Sequence, residues 1–452
     1  AILIQYWRKL RSLATSHQDR TPGSRRLVGM TERFSNGVLA FLAFAYAGAF
    51  LILLALHFLA RRRRREWKEE SEESVEEHEE CVSKIDGHAD EGRFLHESFI
   101  NEDFGFQEET DKSKLFTYAS VGGQLVKYDV DRSVNFQAMF NITGTLASHP
   151  CVTAQVMVYY GVAFAAFCAE RAVLYFRLPV SMISLDDLRA VSSFFTNLIG
   201  ILLGFYISTV VGRWWSLRND TLGSLWGAVD DIMLLLGAHF SDRAWRPMRA
   251  VVLRYALASF ELTFMQAQGN DSELWRLRRR ELLTDDEVAK LADAPSRSQA
   301  MWTWQAWIFH ELAREGYMSD QVLHLFYQKC AQARGAIGGI FAYLNTQLPL
   351  AYVQLLASLV HFLCMIVAID SGLTNSRFLT DVWDPKLEPN QGPLAALCQL
   401  TVIPFFYTGC LEIARVMTDP LGSDFEDFPR HAFHFYMRNE AHAFGSTFED
   451  PA

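Results

Sequence analysis

NLIGILLGFYISTVVGRWW, residues 197–215, is an apolar run of membrane-crossing length that carries no charge before Arg213. As a helix, Leu198 to Val211 crosses most of a hydrocarbon core, and Phe194 and Phe195 extend it upstream. Helical spacing sets Asn197, Ile201, Phe205 and Ser208/Thr209 on one face. Gly200, Gly204 and Gly212 are expected to let neighbouring helices approach closely. Arg213-Trp214-Trp215 reads as an interfacial anchor, with aromatic rings at headgroup level beside a snorkelling cation. An ordinary lipid-facing span satisfies the same residues, so the rest of the chain has to decide.

The chain has 452 residues, of which 50% are hydrophobic, 13% aromatic and 21% charged, so apolar spans require the charges to be segregated. They are. Much of the net charge of −10 comes from residues 66–80, where nine of fifteen residues are Glu. That block repels itself and builds no core. No basic face interleaved with aromatics is present, which excludes nucleic acid as an expected partner. The seven cysteines form no C-x-x-C and sit mostly in apolar runs. This argues against a disulfide framework or a zinc site. Because the chain opens on Ala1, its start is read as processed or truncated, and no targeting peptide is assigned.

In chain order, residues 1–36 form a basic tail. Residues 37–60 form a first apolar run of spanning length, stopped by Arg61 to Arg65, which orient that end to the cytosolic side. Residues 61–114 are the arginine stop and an acidic linker, and the main domain is expected over 115–440. Within it, spans are expected at about 151–176, 191–215, 347–370 and 393–416, with a helical layer at 216–346 and a tail at 441–452. Glu170 and Arg171 inside the second apolar run mark a helix that emerges there or packs against protein. Ser184-Leu-Asp-Asp is a helix start with Ser184 as N-cap, and Thr284-Asp-Asp-Glu287 carries a capping-box pattern. Pro404 is expected to break the middle of the last span.

No catalytic arrangement is present: there is no G-x-S-x-G and no P-loop, and His310-Glu311 lacks the second His of a zinc-protease motif. His431, His434 and His442 are irregularly spaced among aromatics and read as surface or interface residues. Asp419, Asp424, Glu426 and Asp427 supply hard oxygens on a chain able to wrap a calcium ion, although the EF-hand register is absent. On chemistry alone, a solvated acidic loop capping the following segment is the favoured reading of those residues.

LLGFYISTVVGRWW, followed some 200 residues later by IPFFYTGCLEIARVMTDPLGSDFEDF, resembles the bestrophin family of anion channels. VVLRYAL at 251–257, LLTDDEVAKL at 282–291 and WTWQAWIFHEL at 302–312 lie between them in the expected order. The resemblance implies an all-α membrane protein with a four-helix transmembrane unit and a cytosolic helical domain, assembled as a homopentamer around a central pore. By position, the pore neck falls at Asn197, Ile201 and Phe205, and the cytosolic constriction at Gln321 and Val322. Asn197 and Gln321 are more polar than the family's usual residues there. A calcium clasp is implied at 416–428, with side chains from Asp424 and Asp427 and carbonyls from Val416 and Asp419. A further carbonyl is expected near Ala119-Ser120. The helix start at Ser184 is an expected anion-facing dipole end.

The expected function is a multi-pass chloride channel, also passing bicarbonate, in a plasma or plastid thylakoid membrane, with membrane lipid and small anions as its other partners and no enzymatic activity. The alternative is a non-conducting or calcium-insensitive scaffold of the same fold.

Overall fold

The structure, a computed structural model, describes residues 149–176, 184–381 and 393–446, with shorter pieces between 48 and 65 and between 108 and 146. The basic tail, most of the first apolar run and most of the acidic linker lie outside the described residues, while Arg61, Arg62 and Arg65 of the arginine stop lie within them. After the helical residues 53–59 come three short strands: β1 (Glu108–Thr110), β2 (Phe116–Ala119) and β3 (Leu125–Tyr128). They form an antiparallel sheet in that order, a small departure from an all-helical chain. The helices follow as α1 (Pro150–Phe176), α2 (Leu185–Ser216), α3 (Gly223–His239), α4 (Arg246–Ala267), α5 (Trp275–Arg279) and α6 (Asp285–Ala292). After them come α7 (Arg297–Arg314), α8 (Asp320–Asn345), α9 (Leu350–Asp381), α10 (Pro393–Val416) and α11 (Arg430–Ser446).

Among the described residues four helices are long and apolar enough to cross a membrane: Pro150–Val173, Leu185–His239, Leu350–Phe378 and Pro393–Val416. The second runs for 55 residues, well past the Trp pair where the sequence suggests an end. Helices α2 and α3 join through a π-helical turn at Leu217–Leu222. Thr221 Oγ1 donates to the Leu217 carbonyl at 2.6 Å there, which meets part of the demand created by the wider turn.

The chain divides into two units. One takes in residues to Arg62, Thr145–Tyr206 and Pro349–Ile413; the other holds Arg63–Gly144, Ile207–Leu348 and the segment from Ala414 on.

Apolar surroundings force every polar group in the first unit to find a partner in protein. Neighbouring tyrosines of α1 do so on different helices. Tyr159 OH is hydrogen-bonded to His361 Nδ1 on α9 at 2.6 Å, and Tyr160 OH to Thr401 Oγ1 on α10 at 2.6 Å. The buried Glu170 accepts from Arg377 Nε at 3.0 Å, so its charge is held by α9. Arg189 pairs with Asp370 at 3.5 Å and donates to Thr374 Oγ1 at 3.2 Å, tying α2 to α9. His57, in the helical residues 53–59, has Nδ1 3.0 Å from the Pro150 carbonyl and 3.1 Å from Thr153 Oγ1.

Two sequence expectations are corrected here. Helix α10 runs unbroken through Pro404, and Thr408 Oγ1 donates to the Pro404 carbonyl at 2.6 Å. A proline removes one amide donor without ending a helix that neighbours hold in place. Nor do Gly200, Gly204 and Gly212 carry the close approach, since a Cβ on any of them would meet nothing within 4 Å in this chain. That role falls to Gly372, where a Cβ would meet the Ala163 carbonyl oxygen at 2.2 Å.

In the second unit α4 is the central helix. Residues 256–265 are all buried, as expected of a helix apolar around its whole circumference. Phe260, Phe264 and Leu257 of α4, Trp302 and Phe309 of α7 and Phe326 of α8 make much of the core. Phe309 stacks on Phe326 at 4.3 Å. Trp304 packs on the edge of this core, while Trp307 on the same helix is 64% exposed. Helix α11 closes on α3 where a Cβ at Gly237 would sit 2.8 Å from the Phe444 carbonyl.

Polar groups on α4 are paired in turn. The capping box at Thr284 forms with both of its bonds, and its Glu287 also receives both guanidinium ends of Arg254 at 2.7 and 2.8 Å and Tyr255 OH at 2.5 Å. Burial opposes ionisation of Glu287, but these donors win and pull its carboxyl down to about 2. Burial, reinforced by the Glu287 charge, pushes the Tyr255 phenol up to about 12.

Two outcomes test this packing. Gly372→Val overpacks the α1–α9 contact and should cost at least about 1–3 kcal/mol, read as a lower unfolding temperature in detergent, while Gly204→Ala leaves the isolated chain unchanged. A carboxyl whose folded value is depressed stabilises fully above its ordinary value and loses that contribution as pH falls toward the folded one. Stability of the second unit should therefore drop between about pH 5 and pH 2, and Glu287→Gln should flatten that drop in urea titrations.

Candidate functional site

Helix α2 has two contrasting faces. Ile199, Leu203, Tyr206 and Val210 recur at three- and four-residue steps and are at most 6% exposed. On the other side Asn197 is exposed, Ile201 is 63% exposed and Phe205 67%. The structure therefore brings the three expected neck residues onto one uncovered, mostly apolar stripe. Phe194 continues it one turn upstream. The stripe begins beyond a helix start where Ser184 Oγ accepts from the Asp187 amide at 3.1 Å. Asp186 and Asp187 occupy the first turn, where carboxylates complement the positive end of the helix.

Gln321 and Val322 lie in the first turn of α8, whose N-cap Ser319 accepts from the Val322 amide at 3.4 Å. Gln321 is exposed, while Val322 packs partly onto the core.

Arg213, Trp214 and Trp215 divide in their roles. Trp215 is 60% exposed. Trp214 packs on Phe428 with ring centroids 5.0 Å apart. Arg213 turns onto the C-terminal end of α8, donating to the Tyr343 carbonyl at 2.8 Å and the Thr346 carbonyl at 2.5 Å. A cation there satisfies orphan carbonyls and complements the negative helix end.

Trp214 thus leads to the acidic loop, 417–429, between α10 and α11. The Phe428 amide donates to the Pro420 carbonyl at 2.8 Å, and the Asp427 amide to the Asp424 carbonyl at 3.1 Å. Asp427 Oδ2 accepts from the Asp424 amide at 2.7 Å. Gly422 leaves the space for this: a Cβ on it would lie 2.5 Å from Asp427 Oδ2 and 3.6 Å from the Asp419 carbonyl oxygen. Of the expected clasp residues, Asp419, Asp424 and Asp427 are brought together, and Val416 ends α10 just ahead of them.

Asp427 is 5% exposed. Burial, reinforced by Asp424, Asp419 and Glu426, pushes its carboxyl up to about 8. Burial also raises Asp419. A buried carboxylate crowded by three others lacks a counter-charge, and hard oxygens are the donors that a calcium ion takes. Among the described residues no three His, Cys, Asp or Glu side chains gather into a metal-holding group. The loop fits a hard cation only if backbone carbonyls complete the shell, and its fold brings one of them beside Asp427.

The loop is held by residues that sequence reasoning missed. The Leu125 amide of β3 donates to the Phe425 carbonyl at 2.9 Å. This contact comes from the N-terminal side, a few residues beyond Ala119-Ser120. Gln124 and Gln268 donate to loop carbonyls, and Arg430, which opens α11, pairs with Glu261. Glu261 is fully buried and also meets Arg280 Nη1 at 3.3 Å and His434 Nδ1 at 2.7 Å. His434 is thus an internal residue and not a surface one; a buried carboxylate required its imidazole. Glu261 in the apolar run ALASFELTF was the signal available, whereas Gln124 offered none.

A chain with four membrane-length helices, an uncovered apolar stripe on the second and a strand-tethered acidic loop is a polytopic helical membrane protein. Residues 154–433 match the family model described as "Bestrophin, RFP-TM, chloride channel", and the chain belongs to the bestrophin family. It is 25% identical over 236 residues to Bestrophin homolog 22 of Caenorhabditis elegans, covering 50% of this chain and 44% of that protein. It is 27% identical over 254 residues to Bestrophin-2a of Homo sapiens, covering 51% and 45%. The chain thus spans less than half the length of these two relatives. Its fold is similar to that of a bacterial bestrophin homolog from Klebsiella pneumoniae, with a TM-score of 0.54 and 17% identity over 66% of this chain and 100% of that one. The β-sheet and the His57 helix precede the matched residues.

Gly422→Ala should push Asp427 Oδ2 off the Asp424 amide. Hydrogen exchange of peptides covering 419–428 then rises, while exchange in α4 stays at the wild-type rate.

Proposed function

We propose that this chain is one subunit of a homopentameric anion channel, passing chloride and small monovalent anions such as bicarbonate, with α2 lining the pore. The observation that carries the reading is the stripe of Asn197, Ile201 and Phe205, uncovered on a helix whose opposite face is buried. An amide such as Asn197 on an open apolar stripe suits a partner helix or a lumen better than lipid. Five copies around an axis give both.

Rings of Ile201 and Phe205 make a constriction that closes by expelling water, and a ring of Asn197 amides hydrates one end of it. Selectivity for anions needs no ring of cations. The helix start at Ser184 is the proposed anion-facing dipole end, its field tempered by Asp186 and Asp187 in the first turn, and Gln321 and Val322 form a second constriction.

The acidic loop is the proposed calcium site, with Asp424 and Asp427 as carboxylate ligands and Asp419 and Val416 giving carbonyls. Calcium would supply positive charge to the buried Asp427 and its neighbour Asp424. The rival reading, a calcium-insensitive channel or a scaffold, draws support from the bond between Asp427 Oδ2 and the Asp424 amide, which holds the loop together on its own.

Planar-bilayer recording in asymmetric chloride, with free calcium stepped from chelated to micromolar, tests the reading. The expected result is a reversal potential that follows chloride and a current that appears with calcium. Ile201→Ala with Phe205→Ala should leave a pore conducting in chelator, and Asp424→Asn with Asp427→Asn should remove the calcium response. Silence from pentameric protein at every calcium level would favour the scaffold.

A further inference from the structure

The backbone carbonyls of Leu421 and Gly422, at the start of the acidic loop, are taken up by two glutamines from different parts of the chain. Gln268, capping the end of α4, donates its Nε2 to the Leu421 carbonyl at 2.9 Å and to the Gly422 carbonyl at 3.0 Å. Gln124, only 4% exposed, donates its Nε2 to the same Gly422 carbonyl at 3.2 Å. The other end of Gln124 is also committed, because its Oε1 accepts from the Arg430 amide at 3.1 Å. One side chain therefore spans the two ends of the loop, joining Gly422 to the first residue of α11.

Helix α4 supplies the template behind this arrangement. Glu261 and Gln268 are seven residues apart and so lie on the same face, two turns from each other. Glu261 holds the Arg430 guanidinium, accepting from its Nε at 2.5 Å, while Gln268 holds Leu421 and Gly422. Both ends of the loop are thus referred to one buried helix. Gln124 closes the circuit, and the adjacent Leu125 amide pins Phe425 between them.

We propose that Gln124 and Gln268 are positioning residues that clamp the Leu421–Gly422 backbone and so preset the acidic loop in its cation-holding shape. The proposal deepens the calcium reading above and rests on it for its consequence in binding. Two amide donors on the Gly422 carbonyl occupy its lone pairs, so a cation is left to the aspartate oxygens and the remaining carbonyls. A preformed loop binds more tightly than one that must be ordered on binding.

Each glutamine has an isosteric test. Gln268→Glu keeps size and packing but replaces the amide donor with carboxylate oxygens that face two carbonyls. Gln124→Glu likewise loses its donor while keeping an acceptor for the Arg430 amide. The measurements are hydrogen exchange of peptides covering 419–428 in chelator and calorimetric titration of calcium into the purified full chain.

With the clamp real, each variant speeds loop exchange at least about ten-fold in chelator and weakens calcium by about ten-fold, the scale of one or two hydrogen bonds. Exchange in α7 and α8 stays unchanged, which separates a local effect from misfolding. Gln268→Leu, which cannot repel the carbonyls, should show the same direction with a smaller change. Loop exchange at the wild-type rate in both Glu variants would overturn the clamp. Should the wild type bind no calcium while the variants still loosen the loop, the calcium reading falls and the clamp stands.

Discussion

A single buried carboxylate sets the terms for the second unit. Glu261 lies in the middle of a helix with no access to water, and an ionised group there is tolerated only with full compensation. Arg430, Arg280 and His434 converge on it, and together they hold its carboxyl well below the usual range. The arginines come from the segment after α5 and the start of α11, so one charge fixes the positions of distant pieces of chain. Removing only the carboxylate would leave buried cations without a counter-charge, which is the costly way to break such a cluster.

The first unit obeys a related rule under a different solvent. Lipid offers no hydrogen bonds, so tyrosines, threonines and charges on the spans pair across helices. Glu170 with Arg377, and Arg189 with Asp370, turn residues that look misplaced in apolar runs into connections between spans. On α2 the stripe of Asn197, Ile201 and Phe205 lies opposite a buried face of Ile199, Leu203, Tyr206 and Val210. That contrast on α2 gives a functional reading its footing, because a helix satisfied on one face and apolar but uncovered on the other is shaped for something beyond its own chain.

How far the sequence could be read follows the range of the forces involved. Local signals were legible: the capping box at Thr284, the N-cap at Ser184 and the apolar lengths of the spans each depend on residues within a few positions. The common face of Asn197, Ile201 and Phe205 was legible for the same reason. The continuation of α2 into α3 was not, because a π-turn leaves no residue signature in LRNDTL. Pro404 misled because a proline's effect on a helix depends on what packs around it. The close approach assigned to Gly200 and its neighbours belongs to Gly372, since every glycine looks alike until the opposing helix is known. The glutamines at the acidic loop were invisible, for their meaning comes from carbonyls about 150 and 300 residues away in the chain.

The π-turn at Leu217–Leu222 has a consequence for how the gene can change. A wide turn of this kind is an α-helix holding one residue too many. Losing a single codon within it would restore regular geometry and leave the helix beyond near its present register, whereas losing one from the regular turns just after it would rotate everything beyond by about 100°. Leu225, Val229, Ile232 and Leu236, now buried, would swing out of the core together, and Gly237 would leave its contact with α11. Substitutions in this stretch can be absorbed one side chain at a time. Changes of length can be absorbed only at the π-turn itself, so the least forgiving place for an insertion or deletion lies in the regular helix beyond it, and not at a loop or a binding residue.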